Sequence, residues 1–405
     1  IMRIALRCLC LPLLALPTAA AQTPSPPAPA AIDAARYPSL QAAIDALPES
    51  GGTVQLPPGR FEIVRPLILS RGDSRLQGAG PATHIVNLNQ AGQPALIVRP
   101  PNADKDSKSR LWRVQLDNFR VSGNPKSGAG LLAQGINELN LHNLSVDHHG
   151  GDGILMVDCY EDPRVVQCIM TYNAGAGLNL LTNHDIVVSA NQFEENLDAV
   201  RCLDSFNLCF TGNNLDDHLR HGVVIENTYG SVLSGNMIEE CEGAAVVLDR
   251  DCYGITLSAN VIAHHRGGGI HLLDAWGCAV SANTFTLVHS NSILVSSNSG
   301  RITITGNNFC NSYIGGGGDK RPATHKNPMS RDEGTGILLQ STTGIVISGN
   351  VFSGLSTSAI RAEGPCSRLN ITGNVATDPR RQALGLPAFD LRSVTNSIIE
   401  NNLQP

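Results

Sequence analysis

Short runs of alternating apolar and polar residues recur from Ile154 to Ile360: GDGILMVD, GAGLNLLT, LDAVRCLD, RHGVVIEN, GAAVVLD, GGIHLLD, NSILVSS, TGILLQS and SAIRAEG. Alternation sends every second side chain to one face of a strand. Ile154, Leu178, Val200, Val223, Ala245, Ile270, Ile293, Ile337 and Ile360 then form one inward stack. Between these runs lies a second recurring piece: VVSANQF, LCFTGNNL, SVLSGNMI, ITLSANVI, CAVSANTF, ITITGNNF, IVISGNVF, LNITGNVA. Its Asn residues stand at 191, 213, 236, 260, 283, 307, 350 and 374, in steps of 22, 23, 24, 23, 24, 43 and 24. Asn143 and Asn118 continue the period upstream, with Cys168 in place of one Asn.

A period of about 23 residues with three short β segments is one coil of a solenoid. The spacing predicts an all-β fold: a single-stranded right-handed parallel β-helix of roughly a dozen coils, with the Asn side chains in a ladder at a corner. Asn tolerates the left-handed backbone that a tight corner needs. The step of 43 holds an insertion, residues 312–335, Gly-rich and then mixed in charge, placed to act as a lid. The open end of a coil stack needs a cover. YPSLQAAIDALPESGG supplies a short capping helix, with Ser39 as N-cap and Leu40, Ile44 and Leu47 on one face. The β-helix domain reads as 32–405.

The first residues differ in kind. From Met2, Arg3 and Arg7 precede an apolar run and then Ala19-Ala20-Ala21, an export signal over 1–21. A Pro-rich linker, 22–31, follows. No other stretch is long and apolar enough to span a bilayer. The expected location is the periplasm or the exterior. A net charge of −6 points to no nucleic acid or anionic membrane partner. The Cys residues fit no zinc spacing and read as core filler, with one disulfide among Cys159, Cys168, Cys241 and Cys252 left open.

Stacking the coils gathers polar residues on one face. Before the strands the column reads Asp152, Ala176, Asp198, His221, Gly243, Gly268. On the outer strand face it reads Leu155, Asn179, Arg201, Val224, Val246, His271. At the strand ends it reads Asp158, Thr182, Asp204, Asn227, Asp249, Asp274, and beyond them Tyr160, His184, Phe206, Tyr229, Tyr253, Trp276. Glu194/Glu195, Asp216/Asp217 and Glu239/Glu240 crowd the preceding loop in three successive coils. Such crowding favours protonation, pairing with Arg, or a hard cation. Calcium held by Glu194, Asp216 and Glu240 is one reading and a solvated acidic rim another; no cofactor is otherwise required.

The chain resembles the pectate-lyase superfamily of secreted β-helix proteins over most of residues 33–403. GGDG (150–153), NLDAV (196–200) and RHGV (220–223) are similar to the Asn-Thr-Asp-Gly, Asp-Asp and Gly-His-Gly motifs of family 28, polygalacturonase-type, glycoside hydrolases. Here the first motif lacks its Asn-Thr, and Leu197 replaces one Asp. The resemblance implies a groove on the helix that takes a polysaccharide or oligosaccharide. Asp152, Asp198, His221, Glu195 and Asp217 are the candidate catalytic groups. Arg201, His271, Asp204, Asp249, Asp274, Tyr229 and Trp276 are the candidate sugar contacts. Between Glu194 and Asp251 twelve acids face Arg201, Arg220 and Arg250, a local charge of −9, which disfavours a polyuronate. Glycosidic hydrolysis with Asp198 and a neighbouring acid is therefore expected first. Pectate-lyase-like β-elimination, aided by calcium, and intramolecular glycosyl transfer are alternatives from the same residues. A glycan-binding or structural surface β-helix is the non-enzymatic alternative. The oligomeric state is not legible.

Overall fold

The computed structural model describes residues 31–310, 335–355, 357–377, 385 and 387–404. The export signal, the linker up to Ala30 and the insertion from 312 to 334 lie outside the described residues.

Three parallel sheets wind around one core. Among the described residues, sheets B and C each hold 13 strands in strict coil order, and sheet A holds 19, some of them very short. Each coil visits A, B and C in turn, so each strand pairs with its equivalent one coil on. Ile154–Val157 pairs with Leu178–Leu181, and that strand with Val200–Leu203. The fold is a parallel β-helix, as its 23-residue period requires. A short α-helix, α1 (Leu40–Asp45), lies near its start, and Ser39 Oγ caps it by accepting from Ala42 N–H at 3.1 Å. Leu40, Ile44 and Leu47 are buried. Among the described residues no helix is long and apolar enough to cross a membrane.

The Asn ladder runs between sheets A and B. Asn213 N–H donates to Asn236 Oδ1 at 2.9 Å, Asn236 N–H to Asn260 Oδ1 at 3.0 Å, and the pattern continues to Asn402. The side chain is needed for these bonds, not for the corner's backbone. The left-handed residue is the one before each Asn: Ala190 at φ 56°, Gly212 at 64°, Gly235 at 67°. Asn118 and Asn143, at φ 65° and 51°, occupy that preceding column instead of the ladder. Cys168 takes the ladder place, and its N–H donates to Asn191 Oδ1 at 2.8 Å.

A second buried ladder lines the end of sheet B: His149, Asn173, Asn196, His218, Cys241, His265. Asn173 Oδ1 accepts from His149 N–H at 3.1 Å, and His218 Nδ1 accepts from Asn196 N–H at 3.3 Å. His265 Nδ1 accepts from Cys241 N–H at 3.3 Å. An imidazole nitrogen thus replaces an amide oxygen on two rungs. Cys159, Cys168, Cys241 and Cys252 are free thiols and form no disulfide. Burial pushes Cys159, Cys168, Cys202 and Cys252 up to about 12, in keeping with inert filler.

Candidate active site on the outer face of sheet C

The corner leading into sheet C carries Asp152, Ala176, Asp198, His221, Ala244 and Gly268 on successive coils. The coil after His221 is displaced by one from its sequence-based alignment. Val223 pairs with Val246 and Val224 with Val247, so Ala245 leaves the inward stack and Val247 joins the outer column. Glu226 pairs with Asp249, which places Asp249 on the strand face and Arg250 at its end. The loops on either side keep one length, with Asp217 to His221 and Glu240 to Ala244 both four steps, and the run of small side chains in GAAVV gave no periodic signal to fix the register.

Asp198 is 0% exposed. Its Oδ1 accepts from Arg220 Nε at 2.8 Å and from His221 N–H at 3.0 Å, and Arg220 Nη2 binds Oδ2. Arg201 stands 3.9 Å away. Asp198 and His221 share a column, as expected, but the carboxylate holds the histidine's backbone. A carboxylate so enclosed is placed to position the corner, an arrangement that favours a positioning role over the expected one of proton donor. Asp152 is similarly engaged: Oδ1 accepts from Ala176 N–H at 2.7 Å and Oδ2 from Asn179 Nδ2 at 2.9 Å.

The imidazoles differ in their contacts. His221 Nδ1 accepts from Ala244 N–H at 3.0 Å, which puts the ring's proton on Nε2. Burial lowers its pKa, with the Arg220 charge adding to the effect. Burial also lowers His271 to about 4, and the charge of His221 contributes, so the two rings sense each other. His271 Nε2, Arg201 Nε and Asn179 Oδ1 are buried without a hydrogen-bond partner among the described residues. All three belong to one outer column of sheet C. Arg201 reaches Glu226 Oε2 at 3.5 Å, and Arg250 lies 3.8 Å from both Glu226 and Asp204. Asp204 also accepts from Asn227 Nδ2 at 2.8 Å, and Asp274 accepts from Asp251 N–H at 2.9 Å, so both brace the end of the strands.

The aromatic column exists but its faces are taken. Phe206 and Tyr229 stack at 4.8 Å, Tyr229 and Tyr253 at 4.9 Å. Arg301 covers Trp276 at 5.6 Å. Tyr229, stacked on both faces, therefore offers a sugar its edge.

The acidic ladder lies elsewhere, at the end of sheet B. Glu194 pairs with Asp216 in one column, and Glu195, Asp217, Glu240 and His264 form the next, each with a left-handed backbone. Burial pushes Asp217 up to about 6, and the charges of Asp216 and Glu240 add to this. Asp216 is raised too, by burial first and then by the charges of Glu239, Glu240 and Glu194. His264 Nδ1 lies 2.8 Å from Glu239 and 3.4 Å from Glu240. Among the described residues the group whose donor atoms all lie within 4.8 Å is Glu239, Glu240 and His264, not Glu194, Asp216 and Glu240. Two carboxylates and an imidazole are a poorer match to calcium, which takes six to eight oxygens, than the oxygen-only set expected.

This partition alters the charge argument. Six of the twelve acids stand on the sheet B edge. On sheet C, Asp198, Asp204 and Glu226 are matched by Arg220, Arg250 and Arg201. Arg220 entered the sequence reading only as a countercharge, and the inner histidines were not among its candidate site residues. The signal for the histidines was present, since 149, 173, 196, 218, 241 and 265 repeat the coil period.

Residues 106–215 and 254–403 match the family described as "Right handed beta helix region". Residues 164–319 match that described as "Periplasmic copper-binding protein (NosD)". No curated protein matches the sequence. Among solved structures, the chain is similar to the A-module of mannuronan C-5 epimerase AlgE4 from Azotobacter vinelandii. Identity is 16%, the match covers 82% of this chain and 94% of that one, and the TM-score is 0.64. DFA-IIIase from Arthrobacter chlorophenolicus A6 matches at 11% identity over 73% and 84% of the two chains, TM-score 0.54. The catalytic unit of GH87 α-1,3-glucanase from Streptomyces thermodiastaticus matches at 16% over 95% and 70%, TM-score 0.52. At these identities the likeness is one of fold.

Proposed function

The chain belongs to the right-handed β-helix family, and from that premise we propose that it is an exported carbohydrate-active enzyme whose substrate lies along the outer face of sheet C. The three solved neighbours carry names of enzymes acting on different glycans, which supports the carbohydrate class and not one reaction. Export is supported by the leader-like sequence and by the word periplasmic in the second family's description.

Within that class the groove favours proton transfer by histidine over hydrolysis by paired carboxylates. The observation that carries this is the contrast on sheet C: Asp152 and Asp198 are consumed by donors, while His271 Nε2 and Arg201 Nε are unpartnered. A uronate has an acidic C–H beside its carboxylate. Arg201 and the Nε2–H of His221 would hold that carboxylate and the charge that develops on it. His271, kept neutral by burial, would take the proton. Loss of the neighbouring glycosyloxy group then gives elimination, and return of a proton from the other face gives epimerisation. The reading requires no cofactor. Copper prefers imidazole and sulfur donors; seven of the nine described thiols are buried, Cys209 and Cys310 stand apart on sheets A and B, and no step passes through copper.

A second reading rests on Asp217. A carboxyl held near 6 beside Glu240 is a proton donor with a carboxylate neighbour, the pair that hydrolysis uses. One experiment separates the two. Uronate-containing and neutral glycans are incubated with the protein in heavy-oxygen water and in deuterium oxide, and products are weighed by mass spectrometry. Chains shortened with loss of water, or unshortened chains with deuterium on carbon, support the histidine reading. Products carrying one heavy oxygen overturn it in favour of the Asp217 reading. No reaction with any glycan overturns the enzymatic proposal.

A further inference from the structure

Each sheet has a first strand with an open edge, and the three edges are treated differently. Sheet A begins with only two residues, Ile32–Asp33. Sheet C begins with Leu67–Leu69, and α1 covers its edge through one side chain. Gln41 Oε1 accepts from Ile68 N–H at 2.8 Å, and Gln41 Nε2 donates to Ile68 C=O at 3.0 Å. This amide stands where a further strand would. Sheet B begins with Gly59–Ile63, five residues long and the terminal strand of its sheet. Among the described residues no side chain bonds its outward backbone. A long uncovered edge is a template for pairing.

We propose that this edge is the contact between two copies of the chain, joined antiparallel about a two-fold axis through Phe61. Three features argue for a second copy as the occupant. The first is backbone direction. Ile63 C=O accepts from Leu88 N–H within sheet B, so alternate residues Gly59, Phe61 and Ile63 turn inward to their neighbour. The N–H and C=O groups of Arg60 and Glu62 therefore point out of the sheet. A two-fold through Phe61 sets Arg60 of each copy opposite Glu62 of the other, and these are the residues with free backbone groups. Four backbone hydrogen bonds form.

The second is charge. Arg60 and Glu62 are exposed on the same face and, among the described residues, pair only with each other, at 3.1 Å within one strand. The two-fold replaces this with two cross-strand pairs of opposite charge, a stabilising arrangement in antiparallel strands. The sequence Arg-x-Glu is thus self-complementary, which is what an isologous contact demands. The third is apolar surface. Val64, 64% exposed, ends the strand and would meet Pro58 of the other copy. Beside it runs a cleft of about 1100 Å³ between α1 and this strand, lined by Leu40, Ile44, Phe61, Ile63 and Leu67.

The test is analytical ultracentrifugation of the full chain and of three variants, with thermal unfolding as a fold control. The wild type is expected to show a concentration-dependent dimer. Arg60→Glu and Glu62→Arg each put like charges opposite each other and are expected to weaken the dimer at least tenfold with unfolding unchanged. The double swap Arg60→Glu/Glu62→Arg restores complementarity and is expected to dimerise again. A wild type that stays monomeric overturns the proposal, because the edge then has another cover or none. A dimer indifferent to the single swaps, or one that the double swap fails to restore, overturns it as well.

Discussion

Arg220 closes its guanidinium on both oxygens of Asp198 from the next coil, and the same carboxylate receives the N–H of His221. One buried acid therefore sets the position of an arginine and of a histidine's backbone. Asp198→Asn keeps the His221 contact but opposes an amide N–H to Arg220. Arg220 is 45% exposed, so solvent softens the loss. The expected destabilisation is about 2–3 kcal/mol, below the range for fully buried pairs. Urea unfolding measures it. A variant with wild-type stability and no turnover would instead mark Asp198 as a direct participant in the chemistry.

The side chain of Asn236 makes four ladder bonds. It accepts from Asn213 N–H at 2.9 Å and from Asn213 Nδ2 at 3.1 Å, and donates to Phe210 C=O at 3.1 Å and Asn260 Oδ1 at 2.9 Å. Asn236→Ala leaves these groups buried without partners, at roughly 1–3 kcal/mol for each one unsatisfied. A net loss of about 3–4 kcal/mol is expected after local relaxation. Asn402 ends the ladder in a part-buried place, where water can reach. Asn402→Ala should cost less than half as much. Equal losses in the two variants would show that the ladder does not act through burial.

The repeat was legible because it is written in chemistry that tolerates little substitution. Asn213, Asn236 and Asn260 must each present both a donor and an acceptor, so the residue type survives on every rung. The second ladder was less visible because Asn196, His218 and Cys241 meet the same corner with different side chains. His149 and His265 sit beside exposed His148 and partly exposed His264, and a His-His pair read alone does not say which ring turns inward. The site was half legible for a related reason. Glu194 and Asp198 are near in sequence, yet one faces out from sheet B and the other is sealed under sheet C's corner. Summing charge along the chain merged two surfaces that the coil keeps apart. The slip at Ala244 has no deeper cause than the lack of large side chains in GAAVV.

If His271 is the base, the rate must follow its neutral form. Burial holds its pKa near 4, well below the usual imidazole value. A base with a lowered pKa stays active as pH falls through 6, where an ordinary histidine would be switched off. kcat/KM is expected to be flat from pH 7.5 to about pH 5 and to fall below that, since the profile reports the free enzyme. His271→Asn removes the acid limb along with at least a hundredfold of activity. An acid limb near 6.5 in the wild type would point to an exposed histidine instead.

The inner ladder makes the fold itself sensitive to acid. His149, His218 and His265 are each lowered to about 4, by burial first, and the charges of His264 and then His218 further lower His265. The unfolded chain takes up their protons near 6.5 and the folded chain does not until about 4. Between those values the unfolded state binds more protons, so stability is full above about 6.5 and declines as pH falls toward 4. Each histidine can contribute on the order of 3 kcal/mol to that decline. His218→Asn tests this without emptying the rung, because an amide oxygen can accept from Asn196 N–H as His218 Nδ1 does now. The variant should match the wild type within about 1 kcal/mol at pH 7.5, since the rung keeps its bond, and exceed it in stability at pH 5. Chemical denaturation at the two values decides it, and an unchanged difference between them would mean that His218 stays uncharged in both states or is not buried in solution.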